Sequence, residues 1–310
     1  MNTRLLVQFM AVANAGTITA ASRQLNIAQP ALSHAIATLE NELGVRLFER
    51  HRRGVELTEA GSILYERTRP ILDSLEGARL AVQEVDPAPS GRVNIAVPAS
   101  VAHAITEPLF RRVQGRFKRI HLVIDEALTG HLPRWLRSGQ ADLIVRFDAA
   151  DDDEFHSTPL VRETLYLVGK GLGPEPAISF RSLKDYSLFL PDSQHGMGRA
   201  IAHYEDELGI RLQRIPISAS IHSVLRLVDA GLGHAIVPWS IIYDRVGIDG
   251  LAAQQIVEPE ITRSAFLCRR RSGPQSSAVT AVGDAILWAV SHANANGNWH
   301  GALLFDDSAT

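Results

Sequence analysis

Apolar positions recur with a helical period through the first ninety residues, and beyond Gly91 the pattern changes to short buried runs. Leu5, Leu6, Phe9, Met10 and Val12 predict a first helix over residues 2–15. Thr17–Ile36 reads as two short helices joined by a turn. Thr17 is a good N-cap, Ala20, Ala21 and Leu25 offer small and large apolar contacts for a close crossing, and Asn26 with Ile27 makes the turn. In the second helix Leu32, Ile36, Leu39 and Leu43 fall on one stripe, which predicts a core-facing side. The other side carries Gln29, Pro30, Ser33, His34 and Thr38, small or hydrogen-bonding side chains that suit base edges in a major groove. Ala28 stands where a helix start prefers Ser, Thr, Asn or Asp, and Pro30 is tolerated in the first turn, where its missing N–H would be unpaired anyway. Gly44 suits the C-terminal cap. LFERHRRGVEL then alternates about Arg50, His51, Arg52, Arg53 and Gly54 and predicts a hairpin with a basic tip, placing phosphate contacts beside base contacts.

A long helix is predicted from Thr58, with Glu59 placed favourably against its N-terminal dipole. Leu64, Ile71, Ala78 and Val85 repeat every seven residues, with Leu75 and Val82 four positions after two of them, a seam suited to a second helix and hence to dimerisation. Pro70 should kink this helix, and PAPSG at 87–91 should end it as a hinge. RVNIAV, HLVIDEA, ADLIVRF, TLYLVG, SLFLP, HAIVP and SAFLC then read as short buried strands. Helical stretches at 102–115, 131–138, 196–208, 223–230 and 276–292 alternate with them, which predicts an α/β domain. The tail from Ala293 is expected to fray.

Composition narrows the class. The chain has 310 residues, 45% hydrophobic and 21% charged, enough for a small N-terminal module and a larger domain. One cysteine, Cys268, excludes an intrachain disulfide and a cysteine-rich zinc site. Arg4 and Gln8 interrupt the opening run, so no signal peptide is read, no stretch approaches a membrane span, and a cytoplasmic protein is expected. Net charge is −3, so basic charge must act locally. Over residues 1–58, Arg4, Arg23, Arg46, Arg50, Arg52 and Arg53 stand against Glu40, Glu42, Glu49 and Glu56, with three of the arginines clustered at the predicted hairpin.

The run from Leu6 to Gly61, with AASRQL at 20–25, AQPALS at 28–33, LENELGVRLFER at 39–50 and LTEAG at its end, resembles the LysR-type transcriptional regulators. The resemblance implies a winged helix-turn-helix domain at 1–58, a linker and dimerisation helix with hinge at 59–90, and a two-lobed, periplasmic-binding-protein-like effector domain at 91–292. Lobe I would take about 91–163 and 268–292, lobe II about 164–267, with crossings near 162–168 and 266–270, and 293–310 would be a flexible tail. It further implies binding to double-stranded DNA, homodimers and homotetramers, contact with RNA polymerase, and a small-molecule effector, an organic acid or amino acid. DNA contacts fall to Thr17, Gln29, Pro30, Ser33, His34, Thr38, Arg50, Arg52 and Arg53.

Ligands of open α/β domains sit beyond the carboxyl ends of the strands, which nominates Ser100, Val101, Thr129, Phe147, Asp192, His195, Ser220, His222 and Pro238. Ser100 stands where the family often has a hydroxyl touching the effector. No nucleophile elbow, phosphate loop or HExxH is present, so an enzyme is not expected. His195, His203, His222 and His234 are scattered over several elements, and the acidic DAADDDE at 148–154 lacks the glycine and terminal glutamate of a calcium loop, so neither a metal nor a cofactor is expected. AQPALS, ILYERTRPIL, LYLVG and LFLP are similar to the nitrogen-assimilation-control branch of the family, in which DNA binding need not wait for a metabolite. That branch is one alternative; a solute-binding module is another, at odds with the N-terminal reader.

Overall fold

The computed structural model describes residues 2–51, 54–83, 88–147, 154–190, 196–217, 220–271 and 276–304. It divides into two compact units, residues 1–87 with 137–140 grouped to them, and the remainder. Arg52, Arg53, Val85, Asp192, His195, most of the acidic loop and the tail beyond residue 304 lie outside the described residues.

In the first unit, α1 (Thr3–Ala15) packs Leu5, Phe9 and Val12 against α2 (Ile18–Leu25) and α3 (Gln29–Leu43). Each helix ends on a residue that accepts the left-handed region, Gly16, Asn26 and Gly44 respectively, so the chain reverses sharply three times within fifty residues. A hairpin of β1 (Phe48–His51) and β2 (Gly54–Leu57) follows, paired from Phe48 opposite Leu57 to His51 opposite Gly54. Leu32, Ile36 and Leu39 are buried as expected, whereas Leu43 is exposed and Glu40 takes the inward place. The Glu40 carboxylate accepts from the amides of Leu47 (2.8 Å) and Phe48 (3.3 Å), satisfying backbone donors that would otherwise be buried where the chain enters the hairpin. The long helix α4 (Glu59–Gln83) starts at Thr58, whose hydroxyl accepts from the Gly61 amide, and continues unbroken past Pro70.

The second unit is built on β6 (Phe155–Lys170), a strand of 16 residues long enough to serve two sheets. Its first half lies in lobe I beside β3 (Ser90–Val97), β4 (Arg119–Glu126), β5 (Leu143–Phe147) and β12 (Thr262–Arg270), in the order β4-β3-β5-β12-β6. The first three are parallel because α5 (Ala99–Arg116) and α6 (Leu132–Ser138) carry the chain back between them. Its second half lies in lobe II with β7 (Ala177–Ser179), β8 (Ser187–Leu190), β9 (Gln213–Pro216), β10 (His234–Pro238) and β11 (Leu251–Val257). Here α7 (Gly196–Leu208) and α8 (Ile221–Asp229) make the crossovers. Each lobe has its own core. Val93, Ile95, Val97, Leu109 and Val145 of lobe I meet α9 (Ser277–Ala295), while Leu165, Leu167, Leu188 and Ile236 fill lobe II.

Two boundaries differ from expectation. β12 pairs along its whole length with β6, from Thr262 opposite Thr164 to Arg270 opposite Phe155, so the chain re-enters lobe I by Thr262 and not near 266–270. The segment from Ala293 does not fray as far as residue 304: Trp299 is fully buried in the lobe I core, and β13 (Ala302–Leu303) pairs with Arg162 and Val161 of β6. A large indole leaving water outweighs the entropy that polar ANANGN suggests.

Ala28 has extended backbone angles and no side-chain cap bond, unlike Thr17 and Thr58. Ala28→Ser is expected to stabilise the N-terminal module by about 0.5–2 kcal/mol, read as a raised denaturant midpoint; an unchanged or lower midpoint contradicts the cap geometry.

Candidate nucleic-acid interface and inter-lobe site

Gln29, Pro30 and His34 are exposed on α3, with Ser33 half-buried beside them. The Thr38 hydroxyl donates to the His34 carbonyl at 2.9 Å, leaving its acceptor side for an outside partner. The Thr17 hydroxyl accepts from the Ala20 amide at 3.1 Å, so its first task is to start α2. Arg50 stands in β1 next to the tip, followed by His51, whose Nε2 lies 3.8 Å from Glu49 and 3.9 Å from Glu56. The expected dimer seam is partly an internal one. Leu64 packs on the module core, whereas Ile71 and Leu75, with Ile63, are exposed. Of Ala78 and Val82 only the backbone, within α4, is described.

In the second unit, Ser100 lies in the first turn of α5 and Phe147 at the end of β5, and Arg263 of β12 joins them. Its Nη2 donates to Ser100 Oγ at 3.2 Å, and its guanidinium lies over the Phe147 ring, 3.6 Å from the centroid. The same guanidinium meets Glu163 of β6, Nε at 2.7 Å and Nη2 at 2.6 Å from Oε1. Glu163 is itself buried, and its other oxygen accepts from Trp299 Nε1 and from Ser240 Oγ at 3.4 Å. The place beside Ser100 and Phe147 is therefore filled by a cation that the chain supplies and neutralises itself.

The other nominated residues disperse. Val101 is buried in the lobe I core and its amide donates to the Pro98 carbonyl, so it is no ligand contact. Thr129 is half-buried in the loop between β4 and α6, and Pro238 is buried where β10 passes into a 3-10 turn, Trp239–Ile241. The Ser220 hydroxyl caps α8 by accepting from the Ser223 amide at 3.3 Å. His222 faces a different place, an open groove of about 590 Å³ along α5 lined by His103, Thr106, Glu107, Phe110 and Glu126 among others. The His103 and His222 rings lie 6.4 Å apart, and His103 Nε2 is 3.3 Å from Asp244. Burial pushes the nearby Tyr243 phenol up, with the Asp244 and Glu107 carboxylates adding to the shift. Among the described residues, no three His, Cys, Asp or Glu side chains are grouped to hold a metal, and no helix is long and apolar enough to cross a membrane.

Residues 3–62 match the model of the bacterial regulatory helix-turn-helix protein, lysR family, and residues 87–289 match that of the LysR substrate binding domain. The chain belongs to the LysR family. It is a LysR-type transcriptional regulator, with a helix-turn-helix domain for DNA and a two-lobed α/β domain of the effector-binding type. The nitrogen assimilation regulatory protein nac of Klebsiella aerogenes is 33% identical over 94% of this chain and 96% of that protein. Among solved structures, a hydrogen-peroxide-bound cysteine-to-serine mutant of Corynebacterium glutamicum OxyR shares the fold with a TM-score of 0.61 and 25% identity, over 96% of each chain. Full-length CbnR in complex with its target DNA gives a TM-score of 0.70 at 21% identity, over 94% of this chain and 100% of that one. LysR regulators bind DNA and oligomerise, and the family is one of regulators.

Reading the sequence of this LysR regulator for strand ends finds Trp239 after Pro238 but misses Arg263, Glu163 and Trp299. Glu163 did carry a signal, a lone acid inside the apolar run LVRETLYLV. Replacing it by Gln would leave Arg263 without its counter-charge and turn amide hydrogens toward the Trp299 and Ser240 donors. Glu163→Gln is expected to cost the second unit about 3–5 kcal/mol in a denaturant titration. A loss below about 1 kcal/mol would mean that the pair is dispensable.

Proposed function

We propose that this LysR regulator binds promoter DNA as a dimer, with the exposed face of α3 from each chain in a major groove and the hairpin tip on the flanking phosphates. The observation that carries the reading is that face itself. Gln29, Pro30, Ser33 and His34 stand clear of the module core at the start of a helix, free of long charged side chains and next to a hairpin that ends in arginines. Pairing through α4, supported by its exposed Ile63, Ile71 and Leu75, would set two such helices about 34 Å apart or at a multiple of it. Tetramers, contact with RNA polymerase and a cytoplasmic setting complete this reading.

The domain type supports control by an effector between the lobes, an organic acid or amino acid. The Arg263–Glu163 pair favours a second reading, in which DNA binding does not wait for such a ligand. A carboxylate reaching Ser100 and Phe147 meets a guanidinium already neutralised by a buried partner, so little net charge remains to attract it. The name of the 33% identical relative makes nitrogen-assimilation promoters the place to look for targets.

Footprinting of the purified protein on the DNA upstream of its own gene, with and without pools of small carboxylates, amino acids and aromatic acids, decides between the two. A footprint indifferent to every pool is the outcome the ion pair favours; one that shortens or shifts with a single pool establishes the effector reading and names the ligand class. Ser33→Arg is expected to abolish the sequence preference without moving the melting temperature. A retained preference would remove α3 from the role of reader.

A further inference from the structure

The match to the substrate binding domain ends at residue 289, yet the chain remains ordered by packing to residue 304. α9 closes at Ala295, and Gly297 turns the chain back in the left-handed region. The Asn298 and Trp299 amides then both donate to the Ala293 carbonyl. Asn294 Nδ2 pins the returning loop by donating to the carbonyls of Trp299 (2.9 Å) and Gly301 (2.8 Å). Gly301 runs so close to β6 that a Cβ there would lie 2.5 Å from the Arg162 carbonyl oxygen, and β13 completes the attachment.

The loop between these anchors touches both lobes. Trp299 lies in the lobe I core and donates to Glu163, one pair from the point where β6 passes from lobe I to lobe II. Trp239, which packs on the lobe II core, donates from Nε1 to the Gly297 carbonyl at 2.8 Å. The His300 ring stacks on the Trp239 indole, centroids 4.4 Å apart and planes 4° from parallel. Burial holds that imidazole below its usual pKa.

We propose that residues 293–304 are a strap that fixes the angle between the two lobes, joining lobe I to lobe II through Trp239–His300 and joining the inter-lobe Arg263 to the C-terminal segment through Glu163. A movement of the lobes that carries Trp239 away from the 297–300 loop has to part the Trp239–His300 stack and the Trp239–Gly297 hydrogen bond. This holds whether or not a small molecule enters the cleft, and it does not depend on how the protein reads DNA.

Hydrogen–deuterium exchange on the full-length protein tests the strap. Cutting the chain at Ala295 would empty the Trp299 site in the lobe I core, so point variants are used: His300→Ala, Trp239→Phe, and Trp299→Phe, which keeps a ring in the core but loses the donor to Glu163. Each is expected to speed exchange roughly three- to tenfold in peptides covering residues 160–168 and 257–264, the scale of one lost aromatic or hydrogen-bonded contact. Peptides from α6 and β8, which lie within single lobes and away from the Trp299 cluster, should keep the parent's rates. Unchanged exchange at both crossings in all three variants, or a rise spread evenly over both lobes, would overturn the strap.

Discussion

Taking a carboxylate out of water costs several kcal/mol even after the protein relaxes around it, and only well-placed partners offset that cost. Glu163 meets this condition at the one place where its partners can arrive from three parts of the chain. Arg263 comes from the opposing strand, Trp299 from beyond α9, and Ser240 from the turn after β10. These groups lie 100, 136 and 77 residues away in sequence. All three converge only when both sheets have formed on β6, so the full set of partners exists only in the two-lobed fold.

The N-terminal module solves a smaller version of the same problem. Glu40 is also buried, and it is held by amides that the passage from α3 to β1 would leave unpaired, with Arg46 3.6 Å away on the exposed side. Glu205 repeats the arrangement in lobe II, accepting from the Leu212 amide and pairing with Arg214 as the chain leaves α7 for β9. In all three places an acid stands inside a packed element because the neighbouring backbone or cation has nowhere else to turn. Sheet and helix ladders satisfy the regular segments; these glutamates serve the transitions between them.

That division explains which features were legible. Helix caps, the hairpin and the strands with unbroken apolar runs follow local rules, so Thr17, Gly44, Thr58 and the β3, β5, β8 and β10 segments could be read directly. β11 could not: its pattern LAAQQIV puts Gln254 at a buried position, where the amide donates to the Gly173 and Glu175 carbonyls. β9 carries Arg214 and Pro216 and, among the described residues, pairs only at its β8 edge, so it lacks the apolar signature of a central strand. The face of α3 was visible because a helix's period is local. The filling of the inter-lobe position was not, because whether Arg263 lies across Ser100 depends on the register of β12 against β6, a property of two segments 100 residues apart.

At Gly61 in α4 the helix backbone comes so near the chain entering β1 that a Cβ would sit 2.0 Å from the Leu47 carbonyl oxygen, and at Gly54 a Cβ would sit 2.3 Å from that of Gly16. In both places backbone meets backbone, and no side chain can swing aside to make room. The hairpin is thus bolted at its root to α4 and at its tip to the end of α1. Random variation should leave these two positions almost without tolerated alternatives, even alanine. A drift in the hairpin of a few tenths of an ångström would move it relative to α3, so in the proposed binding mode the spacing between phosphate contacts and base contacts is inherited through two hydrogen atoms, one on each glycine.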